Sequence, residues 1–169
     1  MGDLELFRRQ KDEFFRTSPQ SPLKQDQKGD FSGLRYFAGD DTLRFELMVN
    51  EFNEQDEIQI QTNTGEVQSY RRYGNVEFDV DGREASLTIF ENENGFFLPF
   101  ADALAGSETY GAGRYLDPHK LPDGKLLLDF NMAYNPYCAY NENWSCPLTP
   151  PENRLSVPIR AGEKVYKSE

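Results

Sequence analysis

At 169 residues, with its 37% hydrophobic content weighted toward 13 Phe, 9 Tyr and 1 Trp, the chain is expected to form a single domain over residues 1–169. Each buried aromatic removes ~150–250 Å² from water, so a core needs no disulfide or metal, and general disorder is excluded. Asp and Glu number 29 against 18 Lys and Arg, a net charge of −11, which argues against nucleic acid and anionic membrane as partners.

Residues 3–16 have the spacing of one amphipathic helix, with Leu4, Phe7, Lys11 and Phe14 in register and Phe15 widening the stripe. Asp3 is the expected N-cap, and Thr17-Ser18-Pro19 stops the helix. Residues 20–39 are expected to be a loop with a helical turn near 21–24, pinned by Phe31, Leu34, Tyr36 and Phe37. Residues 42–166 then form an antiparallel β body. From Thr42 the period becomes two: Leu43, Phe45, Leu47 and Val49 alternate with polar residues. Ile58 and Ile60 continue the pattern, Asn63-Thr64-Gly65 turns the chain, and Val76, Phe78 and Val80 lead to Asp81-Gly82, a hairpin signal. Ala85, Leu87 and Ile89 mark the return strand.

Further strands are expected at 95–100, 110–116 and 125–133, with 155–159 and 164–166 closing the sheet. Residues 135–151 contain Pro136, Pro147, Pro150 and Pro151 and make a long ordered loop. The predicted fold is mostly β: an antiparallel barrel or two-sheet sandwich with the N-terminal helix packed on it. No apolar run is long enough to span a membrane, and no signal peptide precedes the first helix, which favours a cytoplasmic location.

The stretch 125–133 carries the chemistry. Leu126, Leu128, Phe130 and Met132 would share the core face, leaving Asp129 and Asn131 on the other. Arg114 lies on the preceding strand, where a hairpin would bring it to Asp129. The two readings are a buried ion pair closing the fold and a polar pocket for a small ligand. Our expectation combines them: the pair touches, and it lines a cavity.

Tyr134, Tyr137, Tyr140 and Trp144 either anchor the proline-rich loop or wall a ligand site beside Asn135. Cys138 and Cys146 are small packers or a disulfide pair; with His119 alone in its loop they make no zinc set, and no metal or cofactor is expected. Gly111-Ala112-Gly113 lacks the lysine and helix of a phosphate loop.

One resemblance spans nearly the whole chain. Lys11-Asp12, Ser21-Pro22-Leu23, Phe97-Leu98-Pro99-Phe100, Glu108 through Leu116 and Leu128 through Tyr140 resemble the bacterial and archaeal family called domain of unknown function 1684. Cys146-Pro147-Leu148, Pro151-Glu152-Asn153-Arg154-Leu155 and Ala161-Gly162-Glu163-Lys164 complete the pattern. The resemblance implies no activity, cofactor or partner.

The function expected from the residues is binding of a small polar or anionic ligand near 125–133 and 134–146, with Arg114, Asp129, Asn131, Tyr134, Asn135, Tyr140 and Glu108 as candidate ligand-binding residues. The alternative is a hydrolase or lyase using Asp129 or Glu108 as acid–base, with Arg114 orienting an anionic substrate.

Overall fold

Two antiparallel sheets face one another in the computed structural model, which describes residues 2–166. The larger contains β2 (Asn50–Glu51), β3 (Glu57–Gln61), β4 (Val67–Val80), β5 (Arg83–Asn92), β6 (Gly95–Phe100) and β7 (Arg114–Leu116). Its order is β2-β4-β5-β6-β7, with β3 also paired to β4. The smaller is β1-β9-β8, formed by β1 (Arg44–Leu47), β9 (Leu126–Asp129) and β8 (His119–Lys120).

Alternation puts Phe78, Leu87, Ile89, Leu98 and Phe100 on the inner face of the large sheet, against Leu126, Leu128 and Phe130. The Phe45 and Phe78 rings meet at 5.0 Å. The sheets remain separate, so the fold is the sandwich and not the closed barrel. Asp81 and Gly82 both have positive φ, 50° and 79°, the geometry that a two-residue hairpin with right-handed strand twist requires.

Helix α1 spans Asp3–Thr17, but its N-cap is Gly2, and Asp3 sits in the first turn near the positive end of the helix dipole. The expected apolar stripe is only partly buried. Phe15 is 1% exposed, whereas Phe7 and Phe14 are 38% and 37% exposed. The inward positions instead include Arg8, Lys11 and Asp12, which reach the Phe37 carbonyl, the Glu163 carboxylate and the Leu34 N–H. The helix lies over backbone and carboxylate groups, so long polar side chains occupy its packing face.

The short second helix, α2 (Gln25–Gly29), begins later than expected. Ser21 ties the preceding bend instead: its hydroxyl donates to the Phe15 carbonyl at 2.7 Å and accepts the Leu23 N–H at 3.2 Å.

The expected strand 125–133 ends at Asp129 for a local reason. Its carboxylate accepts the Asn131 N–H at 3.0 Å and caps a 3₁₀ turn, Phe130–Met132, which breaks the two-residue alternation. The strand expected over 110–116 contracts to β7. Among the described residues no strand follows β9. Residues 157–164 form a strap that joins the rest only at isolated positions, among them the bridge Tyr36↔Glu163. Pro158 cannot donate to a ladder, and Gly162 turns the chain at φ 77°. A Cβ at Gly162 would lie 2.7 Å from the carbonyls of Phe130 and Ala133.

Candidate functional site

Arg114 does not meet Asp129. β7 pairs with β6, whereas β9 lies in the other sheet, so the hairpin that would have joined them is absent. Arg114 is 1% exposed. Its guanidinium donates to the carbonyls of Ala161, Ile159 (2.9 Å) and Glu163 (3.1 Å), and its charge partner is Asp102 at 3.9 Å. The Asp102 carboxylate also accepts the Thr109 hydroxyl and the Ile159 N–H, each at 2.7 Å. Burial lowers the Arg114 pKa to about 10, with Asp102 and Glu163 opposing the shift. This cage fixes the strap and leaves Arg114 no access to a substrate.

Other predicted site residues are likewise structural. The Asn131 amide clamps the backbone of Asp40, accepting its N–H at 2.9 Å and donating to its carbonyl at 3.0 Å. The Asn135 N–H donates to Glu163 at 3.2 Å, and its side-chain NH₂ donates to the Lys164 carbonyl at 2.9 Å. Tyr140 turns inward against Phe15, ring centroids 5.0 Å apart, and its hydroxyl donates to Glu163. Burial and the Glu163 charge push its pKa well up. Glu108 is on the surface, paired with Arg160 at 2.9 Å.

Glu163, 1% exposed, gathers Lys11, Tyr140 and Asn135 around one carboxylate. Its neighbours in sequence carry no sign of this, because its partners come from distant segments.

One open groove, of about 480 Å³, lies between α1 and the loop 134–147, while a larger cleft of about 930 Å³ lies beside Arg71 and Glu91 on the large sheet. Phe7 and Lys11 line it from the helix, Tyr70, Phe97 and Tyr115 from the large sheet, and Tyr134, Tyr137 and Trp144 from the loop. Local packing explains why Tyr137 and Trp144 face the groove. Pro136 introduces a 3₁₀ turn, Tyr137–Ala139, which sends Tyr140 into the core and leaves Tyr137 edge-on to Trp144 at 5.1 Å.

The far limb of the loop is held by Asn63. This residue donates to the Trp144 carbonyl at 2.9 Å and accepts the Cys146 N–H at 2.8 Å. Tyr115 donates its hydroxyl to the Pro147 carbonyl. Lys11 lies 5.1 Å above the Tyr134 ring and 5.7 Å above that of Phe15.

A second cleft of about 470 Å³ shares Phe7 and Tyr134 with the first. Asp129, Asp117 and His119 border it, and Asp117 accepts the Tyr134 hydroxyl at 2.8 Å. Burial, then the Asp117 charge, raises the Tyr134 pKa. Tyr134 is therefore a partition between two clefts. Of the predicted site residues, Asp129 and Tyr134 border the second cleft, which neither Arg114 nor Glu108 lines.

Cys138 and Cys146 are both free thiols, and the Cys138 N–H donates to the Cys146 sulfur at 3.4 Å.

The family pattern read along the chain matches a family model described as "Protein of unknown function (DUF1684)" over residues 29–164. The chain belongs to this family. Among solved structures, it is similar to the solution NMR structure of an uncharacterized protein from Haloarcula marismortui. That similarity has 36% identity and a TM-score of 0.71, and covers 95% of this chain and 91% of the other. No curated protein matches the chain. The matched region includes the loop and strap, but excludes α1, so the DUF1684 match contains most of the groove and not its helical rim.

Proposed function

We propose that the aromatic groove binds a small molecule with a flat apolar body and a polar or anionic edge. One observation carries this reading: rings from helix, sheet and loop converge on one open volume, with Trp144 left 40% exposed and Phe7 38%. The volume falls in the range of small-molecule pockets, roughly 300–1,000 Å³, and an apolar lining with few polar groups is typical of them. A flat body would stack between Tyr137, Trp144 and Tyr134. Its polar edge would meet Lys11, whose ammonium is the cation at the groove. The Lys11 side chain keeps 17% of its surface exposed while it holds Glu163, which leaves it within reach of an anion in the groove.

Trp144 is the sole tryptophan, which makes the test direct. Anilinonaphthalene sulfonate, a flat anionic fluorophore, should bind at one site, quench Trp144 and receive its excitation energy. Trp144→Ala and Tyr137→Ala should weaken the probe's own directly excited fluorescence while circular dichroism stays unchanged. Binding that ignores both substitutions, or no binding to the native protein, would sink the proposal.

A further inference from the structure

We propose that Cys146 is a reactive thiol at the wall of the groove and Cys138 its resolving partner, so that a hydroperoxide converts the pair to an intramolecular disulfide. Three geometric observations support this. Cys146 is 8% exposed and lines the groove, which gives a small oxidant a path to its sulfur. The Cys146 sulfur accepts the Cys138 N–H at 3.4 Å, which sets the two cysteines side by side. The Cys146 backbone is fixed on both sides by Asn63, whose N–H donates to the Cys146 carbonyl at 3.2 Å and whose side chain accepts the Cys146 N–H at 2.8 Å. The sulfur is thus presented by a rigid backbone beside its partner.

The electrostatics agree with the division of roles. The Cys138 side chain, and to a smaller extent the N–H groups of Cys138 and Tyr137, hold the Cys146 thiol below its ordinary pKa against the opposing effect of burial. The neighbouring Cys146 sulfur, reinforced by burial, pushes the Cys138 thiol up, while the Tyr110 hydroxyl 3.9 Å away opposes the shift. These opposite directions suit Cys146 to the role of nucleophile and Cys138 to that of the proton-holding resolving group.

The Cys146 thiolate attacks one oxygen of the hydroperoxide, breaking the O–O bond. It becomes a sulfenic acid, and the alcohol or water leaves after taking up a proton. The Cys138 sulfur then attacks the sulfenic sulfur. An S–S bond forms, the S–O bond breaks, and the hydroxyl leaves as water with the Cys138 proton. Two thiols are oxidised and one peroxide bond is reduced. The new bond would join the Tyr137 turn to the segment after Trp144, coupling oxidation to the width of the groove.

Hydrogen peroxide and intact-mass spectrometry test this on the full chain. The expected product is a monomer lighter by two hydrogens, with one peptide linking Cys138 to Cys146. C138S should accumulate a sulfenic acid at Cys146, trapped by a cyclic diketone, and C146S should stay reduced over the same interval.

Oxygen added to the sulfurs of the unsubstituted protein without cross-linking, a disulfide between two molecules, or oxidation of Cys138 in C146S would overturn the proposal. The mass of the oxidised unsubstituted protein distinguishes these outcomes even if a variant folds poorly. Failure of the fluorophore titration would leave this result standing, because the thiol chemistry requires no groove ligand.

Discussion

The Arg114 cage, closed by the strap, and the aromatic groove, walled by α1 and the loop 134–147, treat their interaction groups in opposite ways. In the cage, the guanidinium faces three carbonyls and a carboxylate, which in turn holds a hydroxyl and a backbone N–H. In the groove, Tyr137 and Trp144 meet each other edge-on and offer their other faces to open volume. A charged residue with all its neighbours supplied is architecture, however catalytic it looks in the sequence. Aromatic faces without protein neighbours are where recognition can occur.

Removing the cage's centre should produce the largest effect. Arg114→Ala leaves Asp102 buried with the strap unsupported, and should cost ~3–5 kcal/mol in urea unfolding. A change below about 1 kcal/mol would erase the contrast with the groove. Next comes the strap's close approach: Gly162→Ala combines left-handed strain with contact against two carbonyls, and should cost up to about 3 kcal/mol by the same measurement.

Alkali probes both regions at once. Burial raises the pKa values of Tyr115, Tyr134 and Tyr140 in the folded protein. Their contribution is therefore fully present below the ordinary tyrosine value and is lost as pH rises above it. The depressed Arg114 pKa acts in the other direction, since the unfolded chain holds that proton longer. Tyr36 and Tyr110 are raised in the same sense, so the tyrosines outweigh the arginine and stability should fall by at least about 2 kcal/mol between about pH 10 and 11. Urea midpoints read beside tyrosinate absorbance check the sign; a rise in stability would contradict it. The smallest effect belongs to Glu108→Ala, whose exposed pair with Arg160 should be worth less than about 0.5 kcal/mol in thermal unfolding.

The meander was readable because each of its strands buries one face and turns on local chemistry: Asp81-Gly82 and Asn63-Thr64-Gly65 mark turns whatever lies elsewhere. The second half resisted the same reading. Asp129 could continue an alternating strand or cap a turn, and the choice depends on Asn131 holding the Asp40 backbone from a distant segment. Helix α1 was found by its periodicity, but its orientation depends on Lys11 reaching Glu163, a partner 152 positions away. The aromatic loop was visible as a cluster, whereas the separation of Tyr140 from Tyr137 and Trp144 follows from a 3₁₀ turn that periodicity does not show.

The strap also imposes an order of events during synthesis. Arg114 emerges from the ribosome before the carbonyls of Ile159, Ala161 and Glu163 exist to receive it, and α1 emerges long before the carboxylate that Lys11 holds. The meander between them can form its hairpins as it is made, but until the strap arrives the guanidinium has Asp102 and none of its three carbonyls. A nascent chain arrested before residue 157 should therefore be protease-sensitive around Arg114 and α1, whereas one released past residue 164 becomes resistant. The stretch that encodes the strap would thus act as a timer, holding the groove unfinished until translation has passed it.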